Sequence, residues 1–291
     1  MRDVIFKRQN EEDLLDLLYA QRISYDKAEV YNKIGWGMTL LLTILAVGEL
    51  FIPLREQSSS MIEIIVAVVV FAVDYKTRTL INWGAETKGL IDSILFDFPI
   101  QNKEKLIEYA IKIKNRNKDD YKLQIMNKGD DNIRGLRDWY TEYSSENHYK
   151  VILNCQKENI WWNVKLVNYY KSIISIFIGV SALLIFTFIF YFTIKIDVAW
   201  GLIILGSTIL IRSIEQLMTI KTYTKAMEHA QAKVELIEAD SNNLNMESLL
   251  SLQKNIEENR KSGFLVPSWI HYIYSKHLHE EKKEINERMA D

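Results

Sequence analysis

This chain of 291 residues contains one cysteine and three prolines, and its 38 acidic residues outnumber its 36 Lys and Arg residues. With Cys155 as its one cysteine, the chain can form no intramolecular disulfide. The formal net charge of -2 excludes a DNA-binding protein that works through a large basic surface, because phosphate neutralisation needs an excess of Lys and Arg. The first 33 residues are too charged to contain the apolar core of a signal peptide, so we expect the polar segments to be cytosolic.

The sequence also lacks the motifs of common enzyme and metal sites. His271, His277 and His279, taken with Cys155, do not have the spacing of a known zinc site. Neither a GxSxG nucleophile motif nor a glycine-rich phosphate loop is present. We therefore predict a protein that is not an enzyme, with no catalytic residue, no metal and no cofactor.

What the sequence does contain is four apolar segments, at residues 34–52, 57–73, 172–194 and 198–211. Residues 172–194 carry no charge, and the segment is long enough to cross about 30 Å of hydrocarbon. The second segment is shorter and contains Glu63, so a buried helix or strand of a soluble domain is an alternative for it. Its position directly after the turn expected at Pro53 favours a membrane hairpin.

We predict an all-α membrane protein with four transmembrane helices arranged as two hairpins. Lys and Arg residues flank the ends that face the termini and the middle segment, whereas the short loops contain only Arg55 and Lys195. The positive-inside rule then places both termini and the middle segment in the cytosol. No charge lies at the middle of a span, which argues against a proton relay or an ion-coupled transporter. The predicted parts are an N-terminal cytosolic helix, hairpin 1, a cytosolic helical insertion, hairpin 2 and C-terminal cytosolic helices, at residues 1–33, 34–74, 75–171, 172–214 and 215–291.

Periodicity and capping signals predict the cytosolic helices. Asn10, followed by three acids, predicts a helix start that its side chain caps. The second span continues as a helix that Pro99 stops, and further helices are expected over 103–118 and 246–260, with a charged helix at the C-terminus. The polar tract 117–132 is predicted to be a loop or a short strand. Apolar residues at spacings of three and four after the fourth span predict a short coiled-coil seam, within the chain or between copies: Ile220, Tyr223, Met227, Ala230, Val234 and Ile237.

The stretch CQKENIWWN, residues 155–163, precedes the third apolar segment and has two interpretations. In the first, the two tryptophans belong to the interfacial aromatic belt, and the amides cap or cross-link neighbouring helices. In the second, the tryptophans lie two to three turns before the lipid boundary and stack on bases, while Gln and Asn side chains pair with base edges.

Six short blocks of the sequence, in this order, resemble one protein family. They are QN (9–10), LLYAQRISYDKA (17–28), IDSILFDFP (91–99), WY (139–140), CQKENIWWN (155–163) and VPSWIHYIY (266–274). The chain resembles the SMODS-associating four-transmembrane effectors over nearly its whole length. The resemblance implies a membrane effector of a bacterial antiphage system, in which a nucleotidyltransferase makes a cyclic oligonucleotide that activates the effector.

The resemblance also sets the expected location, partners and mechanism. We expect a multi-pass protein of the bacterial inner membrane whose partners are the lipid bilayer, further copies of itself and a cyclic di- or trinucleotide. Four helices cannot enclose a wide pore alone, so a pore requires several copies, and activation would cause abortive infection. The alternative is a non-conducting membrane adaptor or sensor that docks a cytosolic partner through its helices.

Candidate residues follow for both the ligand and the pore. For the ligand we predict Gln156, Asn159, Trp161 and Trp162, with Arg22 and Arg137 binding phosphate, because the Arg fork can bind two phosphate oxygens at once. An acid on a neighbouring helix is the alternative partner for Arg22. For the pore mouth we predict an acidic ring of Glu49 and Glu63 that favours cations, the alternative being that both simply lie at the headgroup level.

Overall fold

The computed structural model describes residues 4–49, 56–100, 102–128, 135–140, 147–191, 196–240, 242, 244–262 and 264–290, with only the backbone at some helical positions. These residues form α-helices and no strand; the one bridge among them pairs Lys128 with Arg137. The all-α prediction is therefore confirmed for the described part of the chain. The helices are α1 (Val4–Arg8), α2 (Glu12–Glu49), α3 (Glu56–Phe96), α4 (Lys103–Arg116), α5 (Lys118–Met126), α6 (His148–Tyr191), α7 (Ile196–Ala239), α8 (Met246–Arg260) and α9 (Ser268–Ala290).

Four long helices cross the predicted boundaries between cytosolic and apolar segments without a break. Helices α2, α3, α6 and α7 contain 38, 41, 44 and 44 residues. Helix α2 packs along α3, and α6 packs along α7, which is the pairing expected of two hairpins. Helix α8 lies against α3, α6 and α7, and α9 lies against α6.

One half of each long helix takes part in a single hydrophobic core. On α6 this core extends from Val151 to Ile174, and on α7 from Ile220 to Ile237. All six residues of the predicted seam are buried there within one chain, with at most 5% of their surface exposed. The seam is therefore an intrachain packing surface, where α7 contacts α6 and α8.

The other halves of the long helices expose large apolar side chains. On α3, Phe71 is 75% exposed, and on α6, Phe190 is 81% exposed. Soluble monomers rarely leave contiguous apolar patches of this kind uncovered. Within the described residues, one helical stretch, His148–Leu183, is long and apolar enough to cross a membrane. The other three predicted spans each include positions that are not described or are described by their backbone alone, so their number stays a prediction.

Local signals explain where several helices end. Helix α3 stops at Phe96 because Asp97 adopts a left-handed conformation (φ 56°) and the N–H of Phe98 bonds the carbonyl of Ser93, the geometry of a Schellman motif. Pro99 follows, as predicted. Helix α8 begins in a capping box, in which the side chain of Asn245 accepts from the N–H of Ser248.

Two sequence predictions about local structure are wrong. Residues 118–126 of the tract predicted as loop or strand form α5, whose Tyr121 is buried against the core. Packing of one tyrosine thus stabilises a short helix that turn-forming residues disfavour. Asn10 does not cap α2, because its amide donates to Asp138 at 2.8 Å and its Oδ1 accepts from the N–H of the same residue.

Candidate functional site

A buried polar cluster lies where α3, α6 and α8 meet in the core. Its centre is Asp92, whose side chain has no exposed surface. Oδ2 of Asp92 accepts hydrogen bonds from Arg260 Nη1 at 2.7 Å and from Gln253 Nε2 at 3.1 Å. Oδ1 accepts from the hydroxyl of Tyr140 at 2.8 Å and lies 3.2 Å from Nζ of Lys88. We call these five residues, with Gln156, the buried polar cluster.

The charges of the buried polar cluster do not balance. Two cations, Lys88 and Arg260, face one carboxylate. Burial alone would raise the pKa of Asp92, but the two positive charges and the hydrogen bonds outweigh it and lower this pKa to about 2. Burial lowers the pKa of the Lys88 ammonium, which the charge of Asp92 opposes. The cluster therefore holds Asp92 ionised between two basic side chains, and a second acid, Glu257, accepts from Gln253 at 3.3 Å.

Within the described residues, three polar atoms of the cluster are buried without a hydrogen-bond partner: Arg260 Nη2, Gln156 Oε1 and Lys88 Nζ, which forms only its ion pair with Asp92. The ammonium of Lys88 lies 4.8 Å from the ring centre of Trp139 and 4.9 Å from that of Tyr140, so aromatic faces supply part of its stabilisation. Buried polar groups are satisfied in the great majority of cases, and unsatisfied ones mark strained or functional positions. The hydrogen-bonding capacity of the cluster is thus not fully satisfied within the described residues.

Two of the predicted ligand residues reach this cluster. Gln156 is fully buried, and its Nε2 donates to the carbonyl of Leu249 at 3.0 Å and to Gln253 Oε1 at 3.1 Å. Asn159, one turn later on α6, donates to the hydroxyl of Tyr140 at 3.1 Å. Each amide is therefore connected to Asp92 through one intervening side chain, which is Gln253 for Gln156 and Tyr140 for Asn159.

The paired tryptophans lie beside the cluster, partly exposed and packed against the core. Trp161 and Trp162 meet edge to face, with ring centres 5.5 Å apart. The ammonium of Lys165 lies 5.6 Å from the ring centre of Trp161 and pairs with Glu281 at 2.6 Å. Both tryptophans lie on α6, the helix that also carries Gln156 and Asn159.

The two arginines predicted to bind phosphate lie elsewhere, where Arg22 of α2 contacts α5 and the segment after it, which carries Arg137. Arg22 donates to Gln124 Oε1 at 2.9 Å and to the carbonyl of Gly135 at 2.7 Å. Arg137 donates from Nε to the carbonyl of Ile125 at 2.6 Å. Gln156 and Asn159 therefore both contact the buried polar cluster. Arg22 and Arg137 do not, and both bond α5 or the segment after it.

The predicted pore residues, Glu49 and Glu63, have side chains outside the described part of the structure. Glu49 is the last residue of α2, and Glu63 lies in the first third of α3. Among the described residues, no group of three or more His, Cys, Asp or Glu side chains could hold a metal ion.

A second site, which sequence reasoning missed, lies where α2, α3 and α7 pass from the core to their apolar halves. It is a cavity of about 160 Å³ lined in part by Trp36, Asp74, Arg78, Arg212 and Gln216, and we call it the interfacial cavity. Arg212 donates to Asp74 at 2.8 Å and to Thr39 at 3.2 Å. This joint connects α7 to both helices of the other hairpin.

The missed residues left a signal in the sequence. Lys88 and Asp92 are four apart on a helix face that is otherwise apolar, and charges are almost never fully buried unless paired. Arg212 follows directly on an apolar run. Both patterns predict a paired charge, although neither names the partner.

Comparison with known proteins agrees with this architecture. Residues 3–289 match the model of the SMODS-associating 4TM effector domain. The chain belongs to this family. The 4TM effector chain is also 22% identical over 302 residues to a protein of Bacillus cereus (strain VD146) that is named as a probable CBASS effector molecule, with 98% of each chain covered. No solved structure matches the chain. The resemblance recognised in the sequence is therefore confirmed.

Proposed function

We propose that this 4TM effector is an inner-membrane protein of a bacterial antiphage system of the CBASS type. In this proposal, a cyclic oligonucleotide binds the cytosolic part, the chain oligomerises, and the membrane is opened by a pore or by disruption. The observation that carries it is the continuity of α2, α3, α6 and α7, each of which runs from the buried core into an apolar half. Family membership and the named function of the Bacillus relative support the antiphage role.

The exposed apolar halves support the membrane location. Side chains such as Phe71, Phe186 and Phe190 are each at least 66% exposed, and burial in lipid would remove their apolar surface from water at about 25 cal/mol per Å². The basic residues that flank these halves support cytosolic termini through the positive-inside rule.

The buried polar cluster supports a cytosolic trigger. A ligand that stacks on Trp161 and Trp162 and bonds Gln156 or Asn159 would compete with the hydrogen bonds these amides make to Gln253 and Tyr140. Both of those residues bond Asp92 on α3, so ligand binding on α6 would bias the position of α3. Arg22 and Arg137 would contribute to phosphate binding after a rearrangement of the segment that they hold.

The test is efflux of ions and a small dye from liposomes that contain the full-length protein, with and without a panel of cyclic di- and trinucleotides. We expect efflux with one ligand class, and its loss in Trp162→Ala. Trp269→Ala is the matched control, because Trp269 is a tryptophan of α9 that is 42% exposed. Efflux from no preparation, with the protein correctly inserted, would favour the non-conducting adaptor.

The acidic ring is tested separately, once efflux is established. In Glu49→Gln with Glu63→Gln, we expect the preference for cations over anions to fall, because carboxylate rings select cations. An unchanged reversal potential would contradict the acidic ring and favour the alternative that both residues simply lie at the headgroup level.

A further inference from the structure

The interfacial cavity lies at the level where the helices change from a buried to an exposed apolar surface. On the cytosolic side of it, Ile81 and Ile220 are at most 1% exposed. On the other side, Phe71 precedes Asp74 by three residues, and Ile211, which is 54% exposed, precedes Arg212. In a membrane-inserted chain this is the depth of the inner headgroup layer.

The charged side chains of the cavity form one satisfied pair and two available charges. Arg212 and Asp74 neutralise each other at 2.8 Å. Arg78 and Glu215 also line the cavity, and neither forms an ion pair with any residue in the described part of the chain. The cavity therefore offers one guanidinium and one carboxylate to a ligand, with no net charge between them.

We infer that the interfacial cavity binds the headgroup of a phospholipid that carries both a phosphate and a primary ammonium. Arg78 binds the phosphate, and the carboxylate of Glu215 accepts hydrogen bonds from the ammonium. The volume of about 160 Å³ is below the range of roughly 300–1,000 Å³ that is typical of drug-sized ligands, which fits a headgroup. The inference rests on the proposed membrane location but not on gating.

The chemistry of the cavity selects among common headgroups. A primary ammonium offers three N–H donors to the carboxylate of Glu215, whereas a choline headgroup offers none. A glycerol headgroup carries no positive charge for Glu215. Phosphatidylethanolamine is therefore the lipid that matches both ends of the cavity.

The experiment is native mass spectrometry of the full-length protein in detergent with an equimolar mixture of phosphatidylethanolamine, phosphatidylcholine and phosphatidylglycerol. We expect phosphatidylethanolamine to be retained preferentially. Glu215→Gln should lower its ratio to phosphatidylcholine by about tenfold, the effect of losing one charge-assisted hydrogen bond. Arg78→Gln should reduce retention of all three lipids, because each has a phosphate.

Matched controls remove a charge of the same sign from the same helices outside the cavity. Lys76→Gln on α3 and Glu228→Gln on α7 replace exposed charges that do not line it. Both should retain the wild-type lipid pattern. All four variants alter exposed side chains, so folding should be preserved, and thermal melting of each preparation checks this.

Several results would overturn the inference. Equal retention of the three lipids, a wild-type pattern in Glu215→Gln, or the same loss in the two control variants would each do so. Displacement of bound lipid by inorganic phosphate at equal concentration would identify a soluble anion site instead. Efflux from liposomes is measured on the same preparations, so a lipid pattern that holds without any efflux overturns the proposed pore and leaves the headgroup site standing.

Discussion

Arg260 and Asp92 form a hydrogen-bonded ion pair of 2.7 Å, although 168 residues separate them in the chain. Their side chains are only 8% and 0% exposed. The pair joins α8, near the C-terminus, to α3, which continues into the first apolar hairpin. The C-terminal helices therefore do more than cover the core, since they fix the charge at its centre.

Removing Arg260 should destabilise the hydrophobic core strongly. Arg260→Met leaves Asp92 with one buried cation, and loss of one partner of a buried pair typically costs about 3–5 kcal/mol. Arg8→Met is the control, because Arg8 pairs with Asp97 at 3.2 Å on the surface and such pairs contribute about 0–1 kcal/mol. Thermal unfolding followed by tryptophan fluorescence measures both. Equal shifts in the two variants would contradict the buried role of Arg260.

The stability of the core should depend on the ionisation of Asp92 in acid. The folded-state pKa of about 2 lies below the ordinary value of 3.8, so the ionised carboxylate contributes stability above about pH 4 and loses it as the pH falls through about 2. We expect the melting temperature of the wild type to fall more steeply between pH 4 and pH 2 than that of Asp92→Asn. Parallel curves would show that Asp92 does not titrate there.

The joint between the hairpins can be tested with a matched pair of glycines. A Cβ at Gly35 would lie 2.6 Å from Nη2 of Arg212 and would force the guanidinium away from Asp74, whereas a Cβ at Gly37 meets nothing within 4 Å. Both Gly→Ala changes raise helix propensity alike. Weakening a charge-assisted hydrogen bond shifts an equilibrium by about tenfold or more.

For the proposed effector, we expect ligand-independent efflux to rise in Gly35→Ala and to stay at the wild-type level in Gly37→Ala. Liposome efflux without added nucleotide measures it, and a matching rise in both variants would assign the effect to helix propensity. If efflux rises in neither variant, the contact of Arg212 with Asp74 and Thr39 does not stabilise the closed state.

The thiol of Cys155 should be unreactive until the core opens. Its side chain is fully buried, and burial first, then the charge of Glu158, raises its pKa well above the ordinary range. We expect slow labelling by a maleimide in the native protein and rapid labelling after denaturation, measured as mass gain over time. Fast native labelling would contradict the buried position; faster labelling with an activating nucleotide would report movement of α6.

Sequence patterns predicted the helices well wherever apolar periodicity was strong. The seam from Ile220 to Ile237 and the helix of residues 246–260 match the structure, because their signals are repeated over several turns. α5 was missed because its helix depends on the burial of Tyr121 rather than on its own composition. The Asn10 cap was wrong because Asp138, 128 residues away, competes for the same side chain.

The candidate site was predicted only in part. Gln156 and Asn159 stood out because amides before an apolar span are unusual. Asp92 and Arg260 could not be paired from the sequence, since only the packing of α8 against α3 brings them together. The grouping of Arg22 with the tryptophans likewise depended on tertiary contacts, which instead direct Arg22 to Gly135.

The unbroken course of α3 gives the molecule a mechanical property. This helix of 41 residues is about 60 Å long, and Asp92 lies near one end of it. A tilt of about five degrees at that end displaces the far end by about 5 Å, roughly half the diameter of a helix. In the proposed effector, a tilt of α3 caused by the loss of one hydrogen bond at Asp92 would therefore be large enough at the far end to separate neighbouring helices, as at the end of a lever.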